Sequence, residues 1–134
     1  MANALYPKFL EHLCQGEIDF RTAVFKAVIM SGSYVYDNTD EFKSDLTGVL
    51  ATVTLTGTAY PGGVIDFDDA LFTAPGGPDA QVVIFVDTGS PTTSPLMLFF
   101  DTGINFNLTP ANDVLVIWPN DATLKVFPLG GRVT

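Results

Sequence analysis

The tripeptide Asp-Thr-Gly occurs twice in this sequence, at residues 87–89 and at residues 101–103. Each copy directly follows an apolar run, formed by residues 83–86 and by residues 98–100. Two carboxylates held close together share one proton, and such a pair activates a water molecule for hydrolysis. The residue types therefore permit acid–base hydrolysis, provided that the fold places two of these carboxylates side by side.

The first copy, which continues as Asp-Thr-Gly-Ser at 87–90, resembles the active-site loop of aspartic proteases. The resemblance implies two loops from lobes related by a two-fold axis, but Asp87 and Asp101 are only 14 residues apart in one chain. A homodimeric protease of the retroviral type needs one loop per chain, so it stays an alternative, although residues 128–130 match its late motif poorly. Aspartate before glycine is also common turn chemistry, because aspartate bonds its own backbone and glycine supplies positive φ. We therefore expect turns.

Three acidic residues, Asp66, Asp68 and Asp69, suggest a Ca²⁺ site at first sight. An EF-hand loop needs alternating ligands, a central glycine and a terminal glutamate, and this segment lacks that frame. Asp66 and Asp68 alternate with apolar residues, which indicates the water-facing side of a strand.

His12 is the only histidine, and no second histidine or cysteine stands at ligand spacing from it, because Cys14 faces another side of a helix. Neither a metal site nor a Ser-His-Asp triad is supported, and we expect Cys14 to be a buried, inert thiol. Trp118 is either a core residue or an interface anchor. The sequon at 107–109 is read as chance. We assign no catalytic, cofactor-binding or metal-binding residue and expect no enzyme.

The composition is apolar and acidic. Of 134 residues, 47% are hydrophobic. Only 16% are charged, whereas charged residues usually make up about 25% of a globular protein, and the net charge is −9. The apolar fraction excludes disorder, the single cysteine excludes a disulfide scaffold, and the acidic balance argues against nucleic-acid binding. So few charges, with a mean hydropathy of +0.31, favour an oligomer or a chain docked on something larger.

The negative charge is concentrated in one part of the chain. Between Lys43 and Lys125 there are nine acidic residues and no basic one, and the rest of the chain carries no net charge. Acidic side chains make an apolar sheet protein soluble. They would equally form an acidic face that docks on a basic partner or that faces outward on an assembly.

The sequence predicts a single domain over residues 1–134, with an N-terminal helix within 1–16, a β body over 20–128 and a tail at 129–134. Leu5, Phe9 and Leu13 repeat every four residues, which is typical of a helix over 3–15, and Gly16 would end it. No signal peptide or membrane-spanning run is recognisable, so we expect a chain made in the cytosol, without a membrane partner.

The rest reads mainly as strands separated by Gly and Pro turns. A strand with apolar faces is predicted over 21–30, a second short helix between Asn38 and Gly48, and a half-buried strand over 49–58 with threonines outward. A bulged strand is predicted over 64–74, buried strands over 81–87 and 96–101, and a hairpin of 114–118 with 123–127. This succession predicts an antiparallel β-sandwich or jelly roll.

The order of these segments resembles a family of small virion structural proteins of tailed bacteriophages, which includes capsid decoration, or cement, proteins. The segments that carry the resemblance are 4–10, 16–20, 25–29, Tyr36, 41–45, 67–73, 87–89, 93–96, Asp101 and 116–118. They cover nearly the whole chain and are packing and turn motifs, not catalytic ones.

The resemblance implies a β-sandwich or jelly roll that is made in the bacterial host cytoplasm and assembles as a trimer on the outer capsid surface. The implied partner is the major capsid protein, and the implied function is to stabilise the head. It implies no cofactor. A tail, neck or baseplate component is an alternative placement on the same fold, and the homodimeric aspartic protease is the alternative from another class.

Overall fold

A five-stranded antiparallel sheet forms the centre of the fold. The structure, a computed structural model, describes residues 4–60, 64–73, 81–101, 105–108, 114–117 and 127–128. The five strands, in spatial order, are β1 (Ala4–Leu5), β7 (Leu96–Phe100), β6 (Gln81–Asp87), β2 (Val24–Met30) and β3 (Val49–Thr54). Each is antiparallel to its neighbour, so the prediction of a mainly β, antiparallel fold is confirmed.

Strands β6 and β7 are buried along nearly their whole length. Residues 81–86 and all of β7 are buried, and only Asp87 at the end of β6 is partly exposed. Continuous apolar runs of this kind are stable only where both sheet faces are covered. Each large side chain moved out of water here contributes about 1.5–3 kcal/mol, so the burial of these two strands strongly stabilises the sheet. Both strands were predicted with nearly these bounds.

The N-terminal helix is shorter than predicted. Helix α1 spans Pro7–Cys14, whereas Ala4–Leu5 forms β1 and pairs with Phe99 and Leu98 of β7. The prediction of helix from residue 3 was therefore wrong. Proline is acceptable at the first helical position, where its missing N–H costs nothing, so the helix begins at Pro7. Gly16, with φ of +76°, lies beyond its end, as predicted.

The second helix predicted between Asn38 and Gly48 is replaced by a single 3₁₀ turn at Lys43–Asp45. The Asp45 carboxylate accepts hydrogen bonds from the Glu41 N–H (2.9 Å) and the Phe42 N–H (3.0 Å), which lie outside the turn. Phe42 also forms an antiparallel bridge to Pro95 just before β7. Because tertiary pairing and a side-chain acceptor satisfy this backbone, it does not continue as a helix.

The predicted strand at 49–58 is regular only as far as Thr54. From Ala51 to Thr54 its faces follow the prediction, because Ala51 and Val53 are half-buried and Thr52 and Thr54 are exposed, whereas Val49 is exposed although it was expected to face inward. Gly57 adopts φ of +66°, in the left-handed region, and this ends the extended conformation.

The predicted bulged strand at 64–74 is two strands in two sheets. Strand β4 (Val64–Ile65) pairs with β10 (Phe127–Pro128). Strand β5 (Ala70–Phe72) joins a three-stranded sheet in the order β5, β9 (Val114–Ile117) and β8 (Asn105–Leu108).

The predicted hairpin of 114–118 with 123–127 is also wrong within the described ranges. Strand β9 (Val114–Ile117) has β5 on one side and β8 (Asn105–Leu108) on the other, which leaves it no free edge. Residues 118–126 and the predicted tail lie outside the described residues.

The large sheet and the three-stranded sheet contribute to one hydrophobic core. Phe25 and Ile84 of the first lie in the same buried cluster as Phe72, Val114 and Val116 of the second. Within the described ranges, no helix is long and apolar enough to span a membrane.

Candidate functional site

The first Asp-Thr-Gly segment forms a turn at the end of β6. Asp87 Oδ1 accepts a hydrogen bond from the Gly89 N–H at 3.1 Å, and Gly89 has φ of +93°. Asp87 Oδ2 lies 3.1 Å from Lys26 Nζ on the adjacent strand β2. The Gly89 N–H, and then the Lys26 ammonium, hold the pKa of Asp87 below its ordinary value. These contacts keep Asp87 ionised, which suits a structural turn better than a carboxyl that shares a proton.

The antiparallel pairing separates the two Asp-Thr-Gly aspartates. Val82 of β6 pairs with Phe100 of β7, so Asp101 follows at the Gln81 end of β6, whereas Asp87 closes the opposite end. Six residues of extended strand span about 20 Å. One chain therefore does not bring these two carboxylates together. Residues 102–104 lie outside the described residues.

The loop after β6 is held by its own hydroxyl groups. Thr88 Oγ1 lies 2.6 Å from Thr93 Oγ1 and 3.1 Å from Ser94 Oγ. Ser94 is buried, donates to the Ser90 carbonyl at 2.7 Å and accepts from the Thr88 N–H at 3.0 Å. The hydroxyls replace water for the backbone of a tight loop, and they fix the position of Thr88 and Thr93 beside α1.

His12 lies between two carboxylates. Its Nδ1 is 3.1 Å from Glu17 Oε1, and its Nε2 is 2.9 Å from Glu41 Oε1. A carboxylate only accepts hydrogen bonds, so both contacts are satisfied together only when the ring carries two protons. Neither ring nitrogen is then left for a hydroxyl nucleophile, and the arrangement is not that of a Ser-His-Asp triad. His12 instead joins α1 to the segment that precedes the 3₁₀ turn.

A pocket of about 250 Å³ opens beside this histidine. The segments that form it are the end of α1, the chain after it, the residue that precedes the 3₁₀ turn, the end of β6 and the hydroxyl-rich loop. The lining residues are His12, Glu17, Ile18, Phe42, Val86, Thr88, Thr93 and Pro95. The His12 and Phe42 rings lie 5.7 Å apart. The pocket is therefore a small cleft with apolar walls, one carboxylate and two hydroxyl groups.

A chain of buried and partly buried hydrogen bonds links Tyr6, the residue between β1 and α1, to the loop after β2. Tyr34 Oη donates to Asp40 Oδ2 at 2.5 Å and lies 2.9 Å from Tyr6 Oη. Since Tyr34 gives its only hydroxyl proton to Asp40, Tyr6 must donate to Tyr34. Burial raises the pKa of both tyrosines well above the ordinary value, and burial also raises the pKa of Asp40.

Two further contacts complete this cluster. Tyr36 Oη donates to the Leu5 carbonyl at 3.1 Å, and Gln81 Nε2 donates to the Tyr34 carbonyl at 2.8 Å. The Tyr36 ring lies 5.0 Å from the Tyr6 ring and 5.5 Å from the Phe99 ring. The tyrosines therefore hold the N-terminal segment against the rest of the fold by hydrogen bonds and ring contacts. No local pattern in the sequence indicates these contacts, because most of the partners are distant in the chain.

Asp66 is partly exposed and Asp68 is exposed, as the alternation predicts, but both follow β4 (Val64–Ile65) and do not lie in a regular strand. Asp66 pairs with Ala59 in an antiparallel bridge, and Asp68 Oδ2 accepts from Thr56 Oγ1 at 3.1 Å. In the described parts of the chain, no group of three or more histidine, cysteine, aspartate or glutamate side chains is arranged to hold a metal ion.

The prediction for Cys14 was wrong, and two other predictions remain untested. Cys14 is exposed, because it is the last residue of α1 and lies off the buried side occupied by Phe9. Trp118 lies outside the described residues, and Asn107 of the sequon falls in β8. Glu17 and Glu41 were missed as partners of His12, since neither stands at a helical spacing that would have indicated the contact.

A scan of the chain against protein-family models finds no match, and searches of curated proteins and of solved structures find none either.

Proposed function

We propose that this chain is a virion structural protein of a tailed bacteriophage. In this proposal it is a decoration protein that binds the outside of the capsid as a trimer, contacts the major capsid protein and stabilises the head. The proposal includes the finer fold, a β-sandwich of the jelly-roll type in which the five-stranded and three-stranded sheets cover one core. The resemblance of the segment order to small phage virion proteins supports this placement, and the shared core supports the sandwich.

The observation that supports a structural role is that the side chains able to do acid–base chemistry are bonded to other segments of the same chain. Asp87 is bonded to a turn N–H and to Lys26, and His12 is held by two glutamates. Tyr34 is bonded to Asp40. Each of these groups joins two segments of the same chain, which is what a protein needs when it must hold its shape under load.

Apolar surface supplies the means of attachment. Val35 is 82% exposed, and Leu71 and Val24 are each 46% exposed. At about 25 cal/mol per Å², roughly 800 Å² of apolar contact gives about 20 kcal/mol before the cost of association. Many copies on one shell add avidity, because each bound copy holds its neighbours at high effective concentration.

The test uses purified phage particles with and without this protein. Mass spectrometry should find the chain in washed particles, and electron microscopy with an antibody label should place it on the head. Particles that lack it should release DNA at a lower temperature. Label on the tail, neck or baseplate would favour the alternative placement, and particles free of the protein would refute the proposal.

The solution mass separates the decoration protein from the protease alternative. A trimer should have about three times the 14.4 kDa of one chain by sedimentation or native mass spectrometry. A dimer that cleaves peptides at acid pH would instead support the homodimeric aspartic protease.

A further inference from the structure

The pocket beside His12 has a charge of its own. Two carboxylates, those of Glu17 and Glu41, flank the single His12 ring, so at least one negative charge is left there whichever protons the ring carries. Among the residues that the structure describes, the pocket lining includes no lysine or arginine. The nearby Lys43 is directed over the Phe85 ring, 5.9 Å from its centre, and does not line the pocket. A single cation would balance the remaining charge.

The size and walls restrict what that cation is. About 250 Å³ lies below the 300–1,000 Å³ that pockets for drug-sized ligands and cofactors occupy. Ile18, Val86 and Pro95 form an apolar lining that suits a hydrocarbon stem. Phe42 also lines the pocket, and aromatic rings attract planar cations. The Thr88 and Thr93 hydroxyl oxygens are further acceptors. A hydrated metal ion would gain little from such walls.

We propose that this pocket receives an arginine side chain presented by a protein partner, with the guanidinium between the Glu17 carboxylate and the Phe42 ring. The Glu17 side chain is 52% exposed, so a second chain reaches it without any rearrangement of the fold. A guanidinium is preferred to an ammonium because it stacks on an aromatic ring and bonds a carboxylate with two parallel N–H groups. If the proposed function is right, the partner is an assembly neighbour with a basic surface, which complements the charge of −9 on this chain.

The direct test is a nuclear magnetic resonance titration of the full ¹⁵N-labelled chain with N-acetyl-arginine amide. The amide signals of Ile18, Phe42, Val86 and Thr88 should shift and saturate. N-acetyl-citrulline amide has nearly the same shape without the charge, and it should cause no saturable shift. Equal binding of citrulline, or no saturation with arginine, would overturn the proposal. N-acetyl-lysine amide should bind several-fold more weakly.

The matched variants are Glu17→Gln and Glu11→Gln. Glu17→Gln removes the carboxylate of the pocket and should weaken arginine binding at least five-fold. Glu11 is similarly exposed and pairs with Lys8 on α1 outside the pocket, so Glu11→Gln should bind like the unmodified chain. Circular dichroism checks that both variants are folded. Unchanged binding by Glu17→Gln, or an equal loss in Glu11→Gln, contradicts the proposed site.

A second experiment separates the pocket from the proposed function. Glu17→Gln should reduce the occupancy of this protein on particles relative to Glu11→Gln. If arginine binding depends on Glu17 but the protein is absent from virions, the pocket stands and the virion role fails. If the protein is on virions but both variants bind and assemble equally, the virion role stands and the arginine pocket fails.

Discussion

His12 and Glu41 are 29 residues apart in the sequence, yet the Nε2 and Oε1 atoms of their side chains lie 2.9 Å apart. This contact fastens the only α-helix of the described chain to the segment that precedes the 3₁₀ turn. Glu17 holds the other ring nitrogen, so the histidine is shared between the chain just after its own helix and a distant loop.

A double-mutant cycle of His12→Gln and Glu41→Gln should measure this fastening. We expect a coupling energy of about 1 kcal/mol in urea unfolding, typical of a partly buried bond to a charged group. A coupling energy near zero would contradict the assignment.

The tyrosine cluster should make the protein unstable in alkali. Burial raises the pKa of Tyr6, Tyr34 and Tyr36 above the ordinary value of about 10. The folded state therefore keeps these protons at a pH where the unfolded chain releases them, so stability falls as the pH rises above about 10. Ultraviolet absorbance should show these tyrosinates appearing together with unfolding. Ionisation of these tyrosines while the protein is still folded would contradict this prediction.

Asp40 should behave unlike most carboxylates. Burial raises its pKa most, and the charges of Asp45 and Asp37 raise it further. The folded state binds the proton of the Asp40 carboxyl more tightly than the unfolded chain does. The contribution of Asp40 to stability therefore falls as the pH rises and the carboxyl loses this proton. Asp40→Asn keeps an acceptor for Tyr34, and it should be neutral or slightly stabilising at pH 7. Tyr34→Phe leaves Asp40 without this donor and should destabilise by about 1–2 kcal/mol. A large loss for Asp40→Asn would show that its charge is needed.

Asp87→Asn distinguishes a turn residue from a catalytic one. The lowered pKa of Asp87 means that its contribution is present above the ordinary aspartate pKa of about 3.9 and is lost as the pH falls through the folded value. The variant should lose no more than about 1 kcal/mol at pH 7 and almost nothing in strong acid. Particle assembly and infectivity should be unchanged. A variant that folds normally but abolishes phage growth would point to catalysis.

Gly57 and Gly16 form a matched pair for backbone strain. Both have positive φ, but a Cβ on Gly57 would clash with the Asp68 carboxylate, whereas a Cβ on Gly16 meets nothing within 4 Å. Gly16→Ala should cost about 1 kcal/mol from the left-handed conformation alone. Gly57→Ala should cost about 1 kcal/mol more, because Asp68 must move away from Thr56. Equal losses in thermal unfolding would mean that Asp68 does not restrict this turn.

The parts of the fold that follow from local pattern were predictable. Strands β6 and β7 are continuous apolar runs bounded by turn residues, and their bounds were nearly right. Residues 4–5 continue the helical pattern of Leu5, Phe9 and Leu13, yet they pair with β7. The hydrogen bonds gained at the edge of β7 stabilise these two residues more than one further helical turn would. The split between β4 and β5 likewise depends on which strands lie beside them.

Of the candidate site, only the turn after β6 could be predicted from the sequence. Asp87 before Gly89 is a local signal, and the turn it predicts is present. His12 was recognised as a lone histidine, but its two glutamates come from separate loops, and no spacing rule connects them. Cys14 appeared buried because cysteine usually is, whereas its position at the end of a short helix exposes it.

In the proposed function, the side chains of this protein hold surfaces together and do not make or break covalent bonds. The most direct test of this role is a cryo-electron microscopy reconstruction of the mature phage particle, with the chain fitted to density. We expect density for this fold in three-fold clusters on the outer face of the head. A head fully explained by other proteins, with this chain absent from the purified particle by mass spectrometry, would contradict it.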